Sequence, residues 1–284
     1  MEKTRLAVTG SSGRIGRVLM EELRDDFELV GFDRVAGPVP RGAFFVRGEL
    51  HDRKSLAKAL DGADAVVHLA GIPYDIPPLH RVFETNMQGT YNALELAVEG
   101  GCKVFMHASS IMAYGFGQNA EPQYLPVDEE HPLLADRPYG LSKALGEGLC
   151  RSFTERCGLT TLCFRLTTAV DLRSERARRM LPWAGRAGEV GIHQYFDTRD
   201  FAALVRAAAR RDDLGHEAVL VSAADSGHER PTAQAAAEFY PAVRPRAELA
   251  DDAPFVSIDK ARRLFGYAPR YSWRQQAKEA GNGV

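Results

Sequence analysis

The chain has no apolar run long enough to cross a bilayer, and its first residues carry no stretch of the secretory-leader kind, so neither membrane nor export is expected. It also lacks a surplus of either charge. Its 36 Lys and Arg stand against 38 Asp and Glu for a formal net charge of -2. Without a basic field there is no electrostatic reason to expect nucleic acid or an anionic membrane as partner. The densest basic run, Arg173 to Arg179, is interrupted by Glu175 and reads as a solvated helix face. Cysteine is scarce too, and Cys102, Cys150, Cys157 and Cys163 have neither metal-ligand nor redox-motif spacing. That excludes a cysteine metal site and a disulfide framework, and leaves the expectation of reduced thiols in a cytoplasmic protein with no bound metal. Internal repeats and low-complexity tracts are missing, apart from an alanine-rich helix around Ala233 to Ala237.

What is present suffices for a large core: 284 residues, 45% hydrophobic, make one large domain or one with a small appended lobe. Arg5 to Thr9 is a short apolar strand running directly into Gly10-Ser11-Ser12-Gly13-Arg14-Ile15-Gly16, after which Val18, Leu19, Met20 and Leu23 give a helical stripe. Strand, glycine turn and helix in that order leave N–H groups at a helix N-terminus aimed at a pyrophosphate. A second strand, Glu28 to Asp33, ends in an acid about twenty residues beyond the glycines, where a carboxylate accepts from ribose hydroxyls. That acid repels a 2′-phosphate and favours NAD over NADP, although Arg14 and Arg34 are each long enough to meet a phosphate.

Ala43 to Val46 reads as a third strand, Asp52 to Leu60 as a helix, and Asp64 to Gly71 as a fourth strand in which His68 is a buried structural histidine. A long amphipathic helix follows over residues 79 to 99, with Phe83, Met87, Tyr91, Leu94 and Ala97 inward, then a fifth strand from Lys103 to Ser110. Residues 199 to 211 form a helix, Glu217 to Ser222 a strand that extends the sheet, and Thr232 a helix cap after Pro231. Alternating strands and helices imply an α/β fold, a doubly wound parallel sheet of Rossmann type, with ligands outside the carboxyl ends of the strands.

Tyr139 and Lys143 are four apart and share one helix face. A free tyrosine titrates near ~10, and a lysine beside it together with an oxidised nicotinamide favours the phenolate. Tyr139 is then a base for a hydroxyl whose carbon loses hydride, or an acid in reverse. Taken alone, the pair is also what a half-buried tyrosine under a solvated lysine looks like.

Together, "TGSSGRIG", Asp33, the "GEL" at Gly48 to Leu50, "HLAG", "NMQGT" from Asn86, "SSIMAYG" from Ser109, "YGLSK", "TRDFA" near Asp200 and "SIDKARRLFGYAPR" resemble the extended short-chain dehydrogenases, the NAD-dependent epimerase/dehydratase family. The resemblance runs along the whole chain. It implies that Ser110, Tyr139 and Lys143 are catalytic. Cofactor contacts are implied for Gly10, Ser12, Gly13, Arg14, Ile15 and Gly16 around the pyrophosphate, and for Asp33 and Arg34 at the adenosine ribose. They are implied also for Glu49 and Leu50 at the adenine, for Leu69, Ala70, Gly71, Asn86 and Ser109 along the cleft, and for Tyr139 and Lys143 at the nicotinamide ribose. Glu49 stands where the family usually has Asp. The family fold implies a cofactor domain over residues 1–165, rejoined by 195–222, and a small C-terminal substrate lobe from 166–194 and 223–284. Homodimers through the two long helices are common in it.

The departures bear on the substrate. Sugar 4,6-dehydratases of the family follow the catalytic hydroxyl with Asp-Glu; here Ile111 and Met112 follow Ser110, and neither moves a proton. Epimerases carry Arg-x-x-Asn after the sixth strand, where this chain has Arg165-Leu166-Thr167-Thr168, and an arginine for diphosphate where it has His193. The stretch from Arg165 to Asp200 is also shorter than theirs. These losses resemble the trimmed uronate dehydrogenase group, and imply a free sugar or sugar acid, with Ser110, Ile111, Arg165, Thr168 and Arg179 as substrate contacts and Arg178 beside them. Arg244 and Arg246 keep a nucleotide-sugar 4-epimerase open, and a non-catalytic dinucleotide sensor remains a third class.

Overall fold

The computed structural model describes residues 3–116, 120–175, 177, 181 and 194–279. Its first half alternates strictly: β1 (Arg5–Thr9), α1 (Arg14–Glu22), β2 (Glu28–Asp33), β3 (Phe44–Arg47), α2 (Arg53–Leu60), β4 (Ala65–His68), α3 (Leu79–Glu99) and β5 (Val104–Ser110). A 3-10 turn over Ile111–Tyr114 leads towards α4 (Pro138–Cys157), then β6 (Thr160–Leu166) and β7 (Thr168–Val170). After it come β8 (Tyr195–Asp197), α5 (Thr198–Ala208), β9 (His216–Val221), α6 (Thr232–Phe239), α7 (Asp259–Phe265) and α8 (Trp273–Glu279).

Seven strands form one sheet in the order β3-β2-β1-β4-β5-β6-β9, every pair parallel. Both faces of such a sheet are covered, which is why β4 and β6 are buried at every position, with no alternation of buried and exposed residues. Leu19 and Met20 of α1, with Leu23 just after it, pack with Phe201, Leu204 and Val205 of α5 on one face. Leu56 and Leu60 of α2, Leu94 and Ala97 of α3, and Phe153 of α4 cover the other. The expected doubly wound Rossmann-type sheet is therefore the fold. Strand order runs outward from β1 in one direction and from β4 in the other, so the crevice of the switch point opens where both strands end. Gly10, Leu69 and Ser110 all follow or finish strands at that edge.

β9 pairs with β6 and extends the sheet, as its composition suggests. β7 and β8 form a separate two-stranded parallel ribbon. A third apolar cluster joins Tyr114, Phe116, Leu125 and Val127 to Ala235, Ala236, Phe255 and Val256. The "TRDFA" segment ties the chain end down. Asp197 caps α5 by accepting from the Arg199 N–H, and also accepts from Leu172 N–H. Asp200 accepts the N–H groups of Arg270 and Tyr271.

Three expectations need correction. β4 stops at His68, because its neighbour β1 ends at Thr9: Leu69 N–H bonds to the Thr9 carbonyl, and Ala70 N–H turns to the Thr9 hydroxyl instead of a backbone carbonyl. Leu94 and Ala97 of α3 are buried as expected, but the rest of its buried face is Val82, Asn86, Gly89, Thr90, Asn92, Ala93 and Leu96, with Phe83, Met87 and Tyr91 only half-buried. Small residues face inward there, and Gly89 is pressed on Leu50, whose Cδ1 lies 2.4 Å from where a Cβ would sit. Thr232 does not cap α6; it is the first helical residue, and its hydroxyl donates to the carbonyls of Asp251 and Ala253. No helix among the described residues is long and apolar enough to cross a membrane.

Candidate active site

The glycine turn is fixed by space as much as by dihedral freedom. Gly10 has φ +73°, and a Cβ on it would lie 2.8 Å from Ala70 N; one on Gly16 would lie 2.2 Å from the Gly10 carbonyl oxygen. Gly13 opens α1 with no side-chain cap, so the first-turn N–H groups, Arg14 and Ile15 among them, remain for a ligand. Asp33 is held from both sides, accepting Ser12 N–H at 3.0 Å on Oδ2 and Val35 N–H at 3.1 Å on Oδ1. The Ser12 hydroxyl donates to the Val35 carbonyl at 2.7 Å, making it a strut of the loop. Arg34 is exposed, and Arg47, paired in register with Asp33, donates from Nε to the Arg34 carbonyl. Arg14 reaches the Ala169 carbonyl at 3.4 Å. Glu49 is exposed and Leu50 buried. A backbone cradle with uncapped amides next to a fixed carboxylate fits a dinucleotide.

Across the switch point, His68 is structural. Its ring joins Thr9 at 2.9 Å and Thr90 at 3.3 Å, and burial lowers its pKa to about 3. Asn86 spends its amide on protein, accepting from Ile72 N–H and donating to the Ile72 carbonyl and the Ser142 hydroxyl. It fastens the segment after Gly71 to α4 and so shapes the cleft from behind.

Ser110 ends β5, its hydroxyl accepting Met112 N–H at 3.1 Å. Tyr139 stands in the first turn of α4 with Ser110 as a hydrogen-bonding neighbour. The Lys143 ammonium lies 5.7 Å from the Tyr139 ring centre and donates to the Ala108 carbonyl at 2.7 Å. The three sequence-derived catalytic candidates therefore meet at one strand end. Their electrostatics differ from expectation. Burial raises the Tyr139 pKa; the Ser110 hydrogen bond opposes the rise, and the Asp75 charge adds to it. Lys143 is lowered to about 8 by burial. In this state the lysine does not activate the phenol, because desolvation outweighs an ammonium that is itself bound to a carbonyl.

Arg165, expected at the substrate, is committed elsewhere. It donates from Nε and Nη2 to Glu147 and from Nη1 to the Tyr114 hydroxyl and the Glu129 carbonyl, all out of solvent. Ser109, expected at the cofactor, donates to the same Glu147 at 2.6 Å. Both are braces that lock β5, β6 and α4 together behind Ser110. Ile111 and Thr168 are half-buried, Thr168 opening β7. Arg178, Arg179 and His193 lie outside the described residues. Arg246 stacks on the Tyr124 ring with its guanidinium carbon 3.2 Å from the centre. Among the described residues no cluster of His, Cys, Asp or Glu is arranged to hold a metal.

Residues 6–194 match the NAD dependent epimerase/dehydratase family. The chain belongs to that family. Membership makes it an NAD-dependent enzyme. It is 32% identical to an L-arabinose 1-dehydrogenase (NAD(P)(+)) of Haloferax volcanii, over 60% of this chain and 70% of that one. It is 28% identical to a uronate dehydrogenase of Pseudomonas syringae pv. tomato, over 76% and 73%. Among solved structures, a short-chain dehydrogenase/reductase superfamily protein from Agrobacterium tumefaciens with bound NAD superposes with TM-score 0.76 and 25% identity, covering 98% of this chain and 96% of that one.

Two site-shaping residues of this family member were not read from sequence. Glu147 was legible: it lies four residues beyond Lys143, on the Tyr139–Lys143 face of α4. Asp75 was not. It lies on the irregular segment after β4, and its Oδ1 accepts the Tyr139 N–H at 2.8 Å.

Proposed function

We propose that the protein oxidises a free sugar or sugar acid at its anomeric carbon in one step. The observation behind this reading is the meeting of Ser110, Tyr139 and Lys143 at the end of β5, with no second proton-moving group after Ser110. Bound NAD supplies the hydride acceptor. Tyr139, as phenolate, takes the proton of the anomeric hydroxyl, so the C–O bond gains double-bond character as the carbon gives up its hydrogen. Ser110 donates to that oxygen and holds it against the phenol. Lys143 holds the nicotinamide ribose, and its positive charge sits behind Tyr139 where the phenolate forms. Gly10, Gly13 and Gly16 keep the pyrophosphate on α1, and Asp33 takes the adenosine ribose.

A phenol raised by burial is protonated at neutral pH, so oxidation is expected to speed up with pH as the base form is populated. Ile111 and Met112 offer no acid and base for dehydration. Arg246, already stacked on Tyr124, gives little support to a distal phosphate and so to an epimerase. In this reading the cofactor domain comprises 1–165 with 195–222, and the substrate lobe 166–194 with 223–284. Two copies associate in the cytoplasm through α3 and α4, whose half-buried Phe83 and Met87 and exposed Leu145 offer an apolar stripe. The test is to incubate the enzyme with NAD and aldoses, uronates or UDP-sugars and follow reduced nicotinamide. Net NADH with a free sugar supports the dehydrogenase; inversion of a UDP-sugar without net NADH overturns it in favour of the epimerase.

A further inference from the structure

Asp75 bonds the backbone of Tyr139 and has no role in the chemistry above. Its Oδ1 accepts the Tyr139 N–H at 2.8 Å, while α4 has no side-chain cap from its own N-cap residue, Arg137. A carboxylate from another segment therefore closes the first turn of the helix that carries Tyr139, where the helix dipole favours negative charge. Among the described residues no lysine, arginine or histidine pairs with it, and its second oxygen has no partner. It is half-buried at the start of the helix that carries Tyr139, and its charge is felt at the phenol. The other cations of the region are engaged: Lys143 on the Ala108 carbonyl and Arg165 on Glu147.

An unpaired carboxylate close to a reacting centre does two things. It accepts hydrogen bonds from hydroxyl groups, and it repels a ligand of the same sign across the short, poorly screened distance of a cleft. We propose that Asp75 is a specificity-determining residue that makes this a site for neutral aldoses over sugar acids, its free oxygen accepting a ring hydroxyl next to the reacting carbon. The inference rests on the free-sugar dehydrogenase reading and narrows it. The closed α4 turn and the selection against anions are one device, since the oxygen on the Tyr139 amide fixes where the other oxygen meets the sugar.

The experiment compares kcat/KM for L-arabinose and D-galactose with that for D-galacturonate, in the wild type and in Asp75→Asn. Asn retains an oxygen for the Tyr139 amide and removes only the charge; Asp75→Ala, which removes both, is followed by thermal melting to separate loss of the cap. The wild type is expected to prefer the neutral sugars by at least about tenfold, and Asp75→Asn to raise the galacturonate-to-galactose ratio by about tenfold, mainly through KM. A wild type that prefers galacturonate, or a ratio that Asp75→Asn leaves unchanged, overturns the role of Asp75 while leaving the dehydrogenase standing. Failure of every free sugar to yield NADH overturns the dehydrogenase reading, and this assignment with it.

Discussion

The two ends of the cleft are built by different means. At the cofactor end, from β1 through α1 to β2, position is set by backbone: a turn in which Gly10 and Gly16 leave no room for a Cβ, amides at a helix start, and a carboxylate pinned by two N–H groups. At the catalytic end, from β5 to α4 and β6, position is set by buried charge: Lys143 on a carbonyl, and Arg165 and Glu147 braced against Ser109, Tyr114 and Glu129. Backbone fixes where a large ligand lies at little electrostatic cost. Buried charge costs desolvation, and in return it governs where a proton rests.

That contrast is testable residue by residue. Tyr139→Phe is expected to lower turnover about a thousandfold while NAD affinity, measured by fluorescence titration, stays within about threefold. An equal loss of both would erase the division of labour. Arg165→Met strands Glu147 in the interior and is expected to cost about 3 kcal/mol in urea unfolding, with the Arg165→Met, Glu147→Met pair recovering most of it. A single variant as stable as wild type would show that the brace is dispensable.

At the other end, Gly16→Ala forces a Cβ onto the Gly10 carbonyl, and a loss of about 2 kcal/mol with at least tenfold weaker NAD binding is expected from melting and titration. Asp33→Asn gives up one of the two N–H bonds, for a loss of about 1 kcal/mol, and should shift the ratio of NAD to NADP affinity about tenfold towards NADP, since Arg34 lies beside it.

The smallest effect separates the ends by pH. Lys143, lowered to about 8 from an ordinary 10.5, keeps its buried charge below that value at a cost to the folded state. The cost is relieved as pH climbs from about 8 towards 10.5, so the folded state gains stability across that window. Lys143→Met should remove this slope in melts at stepped pH, whereas Asp33→Asn should not.

The same division explains what the sequence disclosed. Strand, glycine turn, helix and terminal acid are local in the chain, so β1 to Asp33 could be read residue by residue. The α/β alternation made the parallel sheet legible in the same way. Tyr139 and Lys143 were found because helical spacing joins them, and Ser110 because it ends a strand at the same edge. Arg165 was read as a substrate contact and proved a brace, since what pairs with a buried guanidinium depends on Glu147, Glu129 and Tyr114 from three other segments. The state of Tyr139 was illegible for a similar reason. Its neighbours Asp75 and Ser110 arrive from loops and strands far along the chain, and burial, invisible in a one-dimensional spacing, dominates the outcome. On the first half of α3 the inward face was misread because asparagine, glycine and threonine allow close packing there, while Leu94 and Ala97 further along are buried as expected.

The most direct measurement of the central claim is to supply an aldose deuterated at its anomeric carbon, with NAD, and follow the label by mass spectrometry. One deuteron is expected in the reduced nicotinamide for each sugar lactone formed, with Tyr139→Phe transferring almost none. Label that stays in the sugar, or transfer that survives loss of the Tyr139 hydroxyl, would contradict the assignment of Ser110, Tyr139 and Lys143 as the reacting centre.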